Sequence, residues 1–163
     1  MVVNSEQAAV DWGFGHPIIH GMDPAEWKCD ENREPRVATF ISIAGIGDKY
    51  YNRSFLVEVM DYLRKKYSIQ LQWINTPGCF KARDINDYKE FLSRTLVYFN
   101  PTFASPMPRS RTEAMLSGCC VITTPAHGAD KFIKDGVNGF LVSPNNVEYS
   151  GKLIAKLLKE YVS

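Results

Sequence analysis

The chain has 163 residues, of which 45% are hydrophobic and 23% charged, the proportions of an ordinary soluble globular domain. Its 19 basic and 18 acidic residues leave a net charge of +1, which excludes a broad electrostatic field for recruiting nucleic acid or anionic lipid. A chain of this length folds without disulfide or metal staples, and no run reaches the roughly 18 consecutive apolar residues of a membrane-spanning helix.

The N-terminus lacks a basic start followed by a long apolar run, so the protein reads as cytoplasmic, with no secretory signal and no integral membrane segment. Residues 2–5 suit a strand end and residues 6–12 a short helix. Residues 13–30, rich in Gly, Pro, His and Asp, suit an extended connection. From residue 36 onward, short apolar runs alternate with helical patterns. Residues 37–45 form a near-continuous apolar run ending in glycine, the pattern of a strand buried on both faces. Residues 54–67 place Phe55, Val59, Tyr62, Leu63 and Tyr67 at helical spacing, with Arg64, Lys65 and Lys66 near the end, where cations suit the helix dipole.

Residues 69–74 then predict a strand, 86–93 a helix and 96–99 a strand. Residues 109–117 predict a helix stopped by Gly118. A strand at 119–123, a helical turn at 131–134, a brief strand at 139–142 and an amphipathic helix at 147–161 complete the chain. This alternation predicts an α/β fold, a Rossmann-like three-layer arrangement of a parallel sheet with helices on both faces. Ligands of such sheets sit beyond the carboxyl ends of the strands. That directs attention to the loops at residues 45–53, 75–80, 100–111 and 124–130.

Cys29, Cys79, Cys119 and Cys120 show neither a C-x-x-C pair nor a regular framework, and are expected to be buried reduced thiols. His16 and His20 lack a second ligand pair, so no metal site is expected. The strongest chemical signal lies at residues 100–118. A strand ends at Asn100-Pro101, a Pro-rich loop follows, and a helix opens near Arg109. Free N–H groups at a helix start attract an anion, whereas Arg109 and Arg111 there oppose the dipole unless a bound diphosphate relieves the conflict. Glu113, one turn inside, can accept hydrogen bonds from two ribose hydroxyls.

The run Glu113-Ala114-Met115-Leu116-Ser117-Gly118, the apolar strand 121–123, the loop His127-Gly128 and the segment Asp135-Gly136-Val137-Asn138-Gly139-Phe140-Leu141-Val142 follow one another in order. Together they resemble the donor-binding, C-terminal half of family 4 glycosyltransferases and related retaining enzymes of the GT-B fold. Ile18-Ile19-His20-Gly21-Met22-Asp23 is similar to the interdomain linker of that family. The resemblance implies a remnant of an N-terminal domain plus linker at residues 1–35 and a nucleotide-sugar-binding domain at 36–163. It implies a nucleotide-sugar-binding site drawn from Gly47, Lys49, Arg53, Ser105, Arg109, Ser110, Arg111, Glu113, His127 and Gly128. Of these, Arg53, Arg109 and Arg111 would neutralise the diphosphate, Glu113 would hold the ribose, and His127 and Gly128 would face the donor sugar. No catalytic residue is assigned.

The pattern departs from the family in three places. Ser105 stands where a first glutamate is usual, Pro106-Met107-Pro108 replaces a glycine-rich loop, and Lys131 falls where an acidic residue is common. Proline has no N–H to offer a phosphate. The resemblance therefore implies transfer of a sugar from a nucleotide diphosphate sugar to an unknown acceptor, with retention, without metal or cofactor. The acceptor half would come from a separate N-terminal domain or from a homo-oligomer. The alternative reading is a non-catalytic nucleotide-sugar-binding or regulatory subunit.

Overall fold

The computed structural model describes residues 2–3, 6–18, 21–41, 50–103, 108–125 and 132–162. At the N-terminal end, β1 (Val2–Val3), α1 (Glu6–Trp12) and β2 (His16–Pro17) form a parallel two-stranded unit. Strand β2 lies inside the stretch expected to be a plain connection. A 3-10 turn at Pro24–Glu26 follows, and Asp23 caps it by accepting from Ala25 N at 2.9 Å.

The rest of the chain builds β3 (Glu34–Thr39), α2 (Arg53–Tyr67), β4 (Leu71–Trp73), α3 (Ile85–Ser93), β5 (Thr95–Asn100), α4 (Arg109–Leu116), β6 (Cys120–Thr123), β7 (Phe140–Leu141) and α5 (Val147–Val162). The five strands form one parallel sheet in the order β4-β3-β5-β6-β7. Because β3 pairs with β4 on one side and β5 on the other, the chain reverses its winding direction there. Connections leaving β3 and β5 diverge and leave a crevice at their carboxyl ends.

Strand alternation divides the core into two layers. Val37, Val97, Phe99 and Ile122 face α2 and α5, which contribute Phe55, Leu56, Val59, Leu63, Ile154 and Leu158. Ala38, Tyr98 and Val121 face Tyr88, Phe91 and Leu92 of α3 and Ala114 of α4. Helices therefore cover both faces of a parallel sheet, the α/β arrangement that the alternating pattern dictates.

Boundaries moved where local chemistry overrode periodicity. Strand β3 begins at Glu34, earlier than residue 37, with an irregularity between Glu34 and Val37, where Pro35 has no N–H for the ladder. Strand β4 is shorter than 69–74. Ser68 takes a left-handed conformation at the end of α2, with Ser68 N on Arg64 O and Ile69 N on Leu63 O, and Asn75 turns the chain at φ 64°. The turn beyond folds back on this edge strand, with Phe80 N on Gln72 Oε1 at 3.1 Å, which shields an edge that would otherwise offer free groups. No helical turn forms at residues 132–134. Instead Asn138 accepts from Lys134 N at 2.7 Å and donates to Phe132 O, while Asp135 accepts from Leu141 N at 2.9 Å. The Asp135–Gly139 stretch of the motif is thus a turn that seats β7 beside β6. Gly139 is required there, because a β-carbon would stand 2.8 Å from Val121 O. Of the cysteines, Cys119 is buried and Cys79 and Cys120 are partly so, but Cys29 is exposed.

Candidate functional site

Three connections meet at the carboxyl end of the sheet. Phe103 N donates to Tyr50 O at 2.8 Å, tying the loop after β5 to the segment that enters α2. Thr124 Oγ1 donates to Thr102 O at 2.9 Å and Thr123 Oγ1 to Asn100 O at 2.8 Å, tying the exits of β5 and β6. Around these ties lie buried polar atoms with no hydrogen-bond partner among the described residues: Thr39 Oγ1, Asn52 Nδ2, Thr102 Oγ1 and both amide atoms of Asn100. Unsatisfied buried polar atoms are rare in folded proteins, and each calls for a partner such as water, an ion or a ligand.

Two helices open onto this end, and both begin with arginine. Arg53 leads α2 and Arg109 leads α4; neither helix has a side-chain cap or an acidic residue in its first turn. By contrast, α3 is capped by Asp84, which accepts from Asn86 N at 2.8 Å and Asp87 N at 2.9 Å. An N-terminus without a side-chain cap or an acidic residue leaves its dipole uncompensated, the condition that favours an anion.

Glu113, one turn into α4, is only 8% exposed. Its Oε2 accepts a buried hydrogen bond of 2.9 Å from the Tyr88 hydroxyl on α3. Its Oε1 lies 3.9 Å from Arg109 Nε, on a side chain that is itself 76% exposed. Burial, with Tyr98 and Glu113 nearby, raises the Tyr88 phenol above its usual range and keeps it a donor. A second tyrosine links the crevice walls. Tyr98, fully buried in β5, accepts from Phe40 N at 2.9 Å, donates to Phe40 O at 3.2 Å and is hydrogen-bonded by Ser110 of α4. One phenol thereby fixes the exit of β3 against the start of α4. Its own titration is shifted upward by burial.

The two arginines of α4 part company. Arg109 is exposed; Arg111, 2% exposed, points into the protein, and burial pushes its guanidinium down to about 10, partly offset by Tyr98. The two arginines given the same diphosphate role thus differ in exposure, Arg109 in solvent and Arg111 enclosed. Arg53 is half-buried at the start of α2. Gly47, Lys49, Ser105, His127 and Gly128, together with Pro106, Met107 and Lys131, lie outside the described residues. The structure adds Tyr88 and Tyr98, which the sequence did not single out. Only the tertiary approach of α3 and β5 to α4 gives their hydroxyls a role.

A parallel sheet with a topological switch, arginine-led helix starts and a buried carboxylate beside them define an α/β protein of the Rossmann-like type. Comparison with known proteins agrees. The profile of the family Glycosyl transferases group 1 matches residues 43–162, and the chain belongs to that family. It is 26% identical over 141 residues to sucrose synthase 5 of Arabidopsis thaliana, a match covering 83% of this chain and 17% of that protein. Among solved structures, TarM superposes with a TM-score of 0.76 at 13% identity, covering 99% of this chain and 36% of TarM. Anabaena HepE, solved with UDP and glucose, gives a TM-score of 0.67 at 17% identity, covering 99% of this chain and 54% of HepE. The fold is that of GT-B glycosyltransferases, and the chain corresponds to a partial, C-terminal-like domain spanning about a third to a half of those structures. No helix among the described residues is long and apolar enough to cross a membrane.

Proposed function

We propose that this chain binds the nucleotide diphosphate part of a sugar donor and is the donor-binding portion of a glycosyltransferase. The observation that carries the reading is Glu113: a buried acceptor one turn inside a helix whose start is uncapped and led by arginine. A diphosphate at that start would be met by N–H groups and by Arg109, with Arg53 approaching from α2. The adjoining ribose would then lie beside the carboxylate, where two hydroxyls find two oxygens. Anabaena HepE, of matching fold, was solved with UDP, which makes UDP the first nucleotide to try.

On this reading, residues 1–35 are the end of an acceptor-binding domain and its linker, and transfer to the acceptor proceeds with retention once that domain is supplied. The leaving diphosphate is stabilised by preorganised cations and amides, so positioning and electrostatics dominate the chemistry.

The test is a thermal-shift titration with UDP, GDP and ADP. One of the three raises the melting temperature by several degrees, as expected for ligand near 100 times its Kd, where binding stabilises by about 2.7 kcal/mol. Glu113→Ala abolishes most of that shift. No response to any of the three nucleotides refutes the reading.

A further inference from the structure

Glu113 does not stand free in the crevice; it is held from behind. Its Oε2 receives the Tyr88 hydroxyl at 2.9 Å, and the tyrosine making that bond is itself fixed. Tyr88 is 5% exposed, and its ring packs edge-on against Trp27 (centroids 6.3 Å apart, interplanar angle 89°) and against Phe40 (5.5 Å, 60°). Trp27 is anchored in turn by Lys89, whose ammonium lies 5.0 Å from its ring centre and 3.7 Å from Glu26. Phe40 is clamped by Tyr98 through both of its backbone polar groups. The hydroxyl is therefore delivered to one point by a rigid aromatic stack drawn from the connecting segment, α3 and the exit of β3.

A carboxyl group on a glutamate side chain otherwise rotates broadly about its last torsion, and a cis-diol needs both oxygens in one plane at one orientation. Tyr88 uses one of the two lone pairs on Oε2 and leaves the second, together with Oε1, for other donors.

We propose that Tyr88 is a positioning residue that orients Glu113 and sets selectivity for a ribose diol over a deoxygenated sugar. The proposal rests on the donor-binding reading above. Nothing in α3 touches the diphosphate in this scheme, so removing the hydroxyl weakens only the part of binding that passes through the diol.

Calorimetric titration of the chain with UDP and with 2′,3′-dideoxy-UDP separates the two parts. The unaltered chain prefers UDP. Tyr88→Phe, which keeps the ring and its packing, weakens UDP binding about tenfold, as loss of a hydrogen bond to a charged group does, and leaves the dideoxy compound unchanged. In a Glu113→Gln background, Tyr88→Phe produces much less further change in that preference, because the oriented acceptor is already altered. Equal weakening of both nucleotides by Tyr88→Phe assigns the tyrosine to packing and overturns the proposal. An unchanged preference overturns it too, while leaving the donor site intact if Glu113→Gln still lowers the preference. If the unaltered chain binds both nucleotides equally, the ribose role of Glu113 falls and the proposal with it. If it binds neither, the same pair of titrations is run with GDP and ADP and their dideoxy analogues, and failure of all three refutes the donor-site reading and the proposal together.

Discussion

Gly118 lies immediately beyond α4 at φ +75°, and a β-carbon there would collide with Arg33 Nη2 and stand 2.9 Å from Cys29 Sγ. Arg33 fills that space to good purpose. It donates to Thr95 O at 2.8 Å, to Ser117 O at 2.8 Å and to Cys29 Sγ at 2.7 Å, joining the connecting segment to the start of β5 and the end of α4. Gly118→Ala meets two separable costs. The left-handed backbone costs an alanine about 1 kcal/mol. Displacing the guanidinium forfeits at least one charge-assisted bond, about 2 kcal/mol. The sum, about 3 kcal/mol, lowers the melting temperature of a chain this size by about 6–12 °C. In an Arg33→Ala background the backbone part remains, with a small rotation of the exposed Cys29 side chain, so the same substitution costs about 1 kcal/mol there. Urea unfolding of the four variants, followed by circular dichroism, measures the coupling directly. If Gly118→Ala costs the same in both backgrounds, the arginine is not what the glycine makes room for, and the reasoning fails.

Tyr98→Phe leaves the Phe40 N–H without its buried acceptor and releases Ser110, and is expected to lower stability by about 1–3 kcal/mol in urea unfolding; a change below about 0.5 kcal/mol contradicts the clamp. Asp87, bonded by the Arg83 side chain and backbone N–H, titrates at about 2 rather than 3.8. Its pKa is depressed on folding, so the stability it contributes is present above pH 3.8 and is lost as the pH falls through about 2. Arg83→Ala should return the Asp87 midpoint in carboxyl-carbon NMR toward about 4; a midpoint that stays near 2 shows that some other group holds the carboxylate.

The sequence by itself determined the layers of this fold and the identity of the acidic residue at its centre. Apolar runs of strand length at 96–99 and 119–123, alternating with amphipathic helices, leave a covered parallel sheet as the arrangement that buries both strand faces. Local signals of that kind survive without knowledge of the partner: Gly118 stops α4, and Arg64, Lys65 and Lys66 close α2. Glu113 was legible because its position in a motif, one turn beyond a loop, needs no long-range information.

Tertiary structure alone decided what stands around it. Arg109 and Arg111 are two residues apart and alike in sequence, yet one is in solvent and the other 2% exposed, because successive side chains on a helix point about 100° apart and α4 lies flat on the sheet. Tyr88 is 25 residues from Glu113 and Tyr98 is 58 from Phe40. No periodicity links such pairs. They meet because α3 crosses over β3 to reach β5, and the winding of a parallel sheet brings residues together that chain order keeps apart.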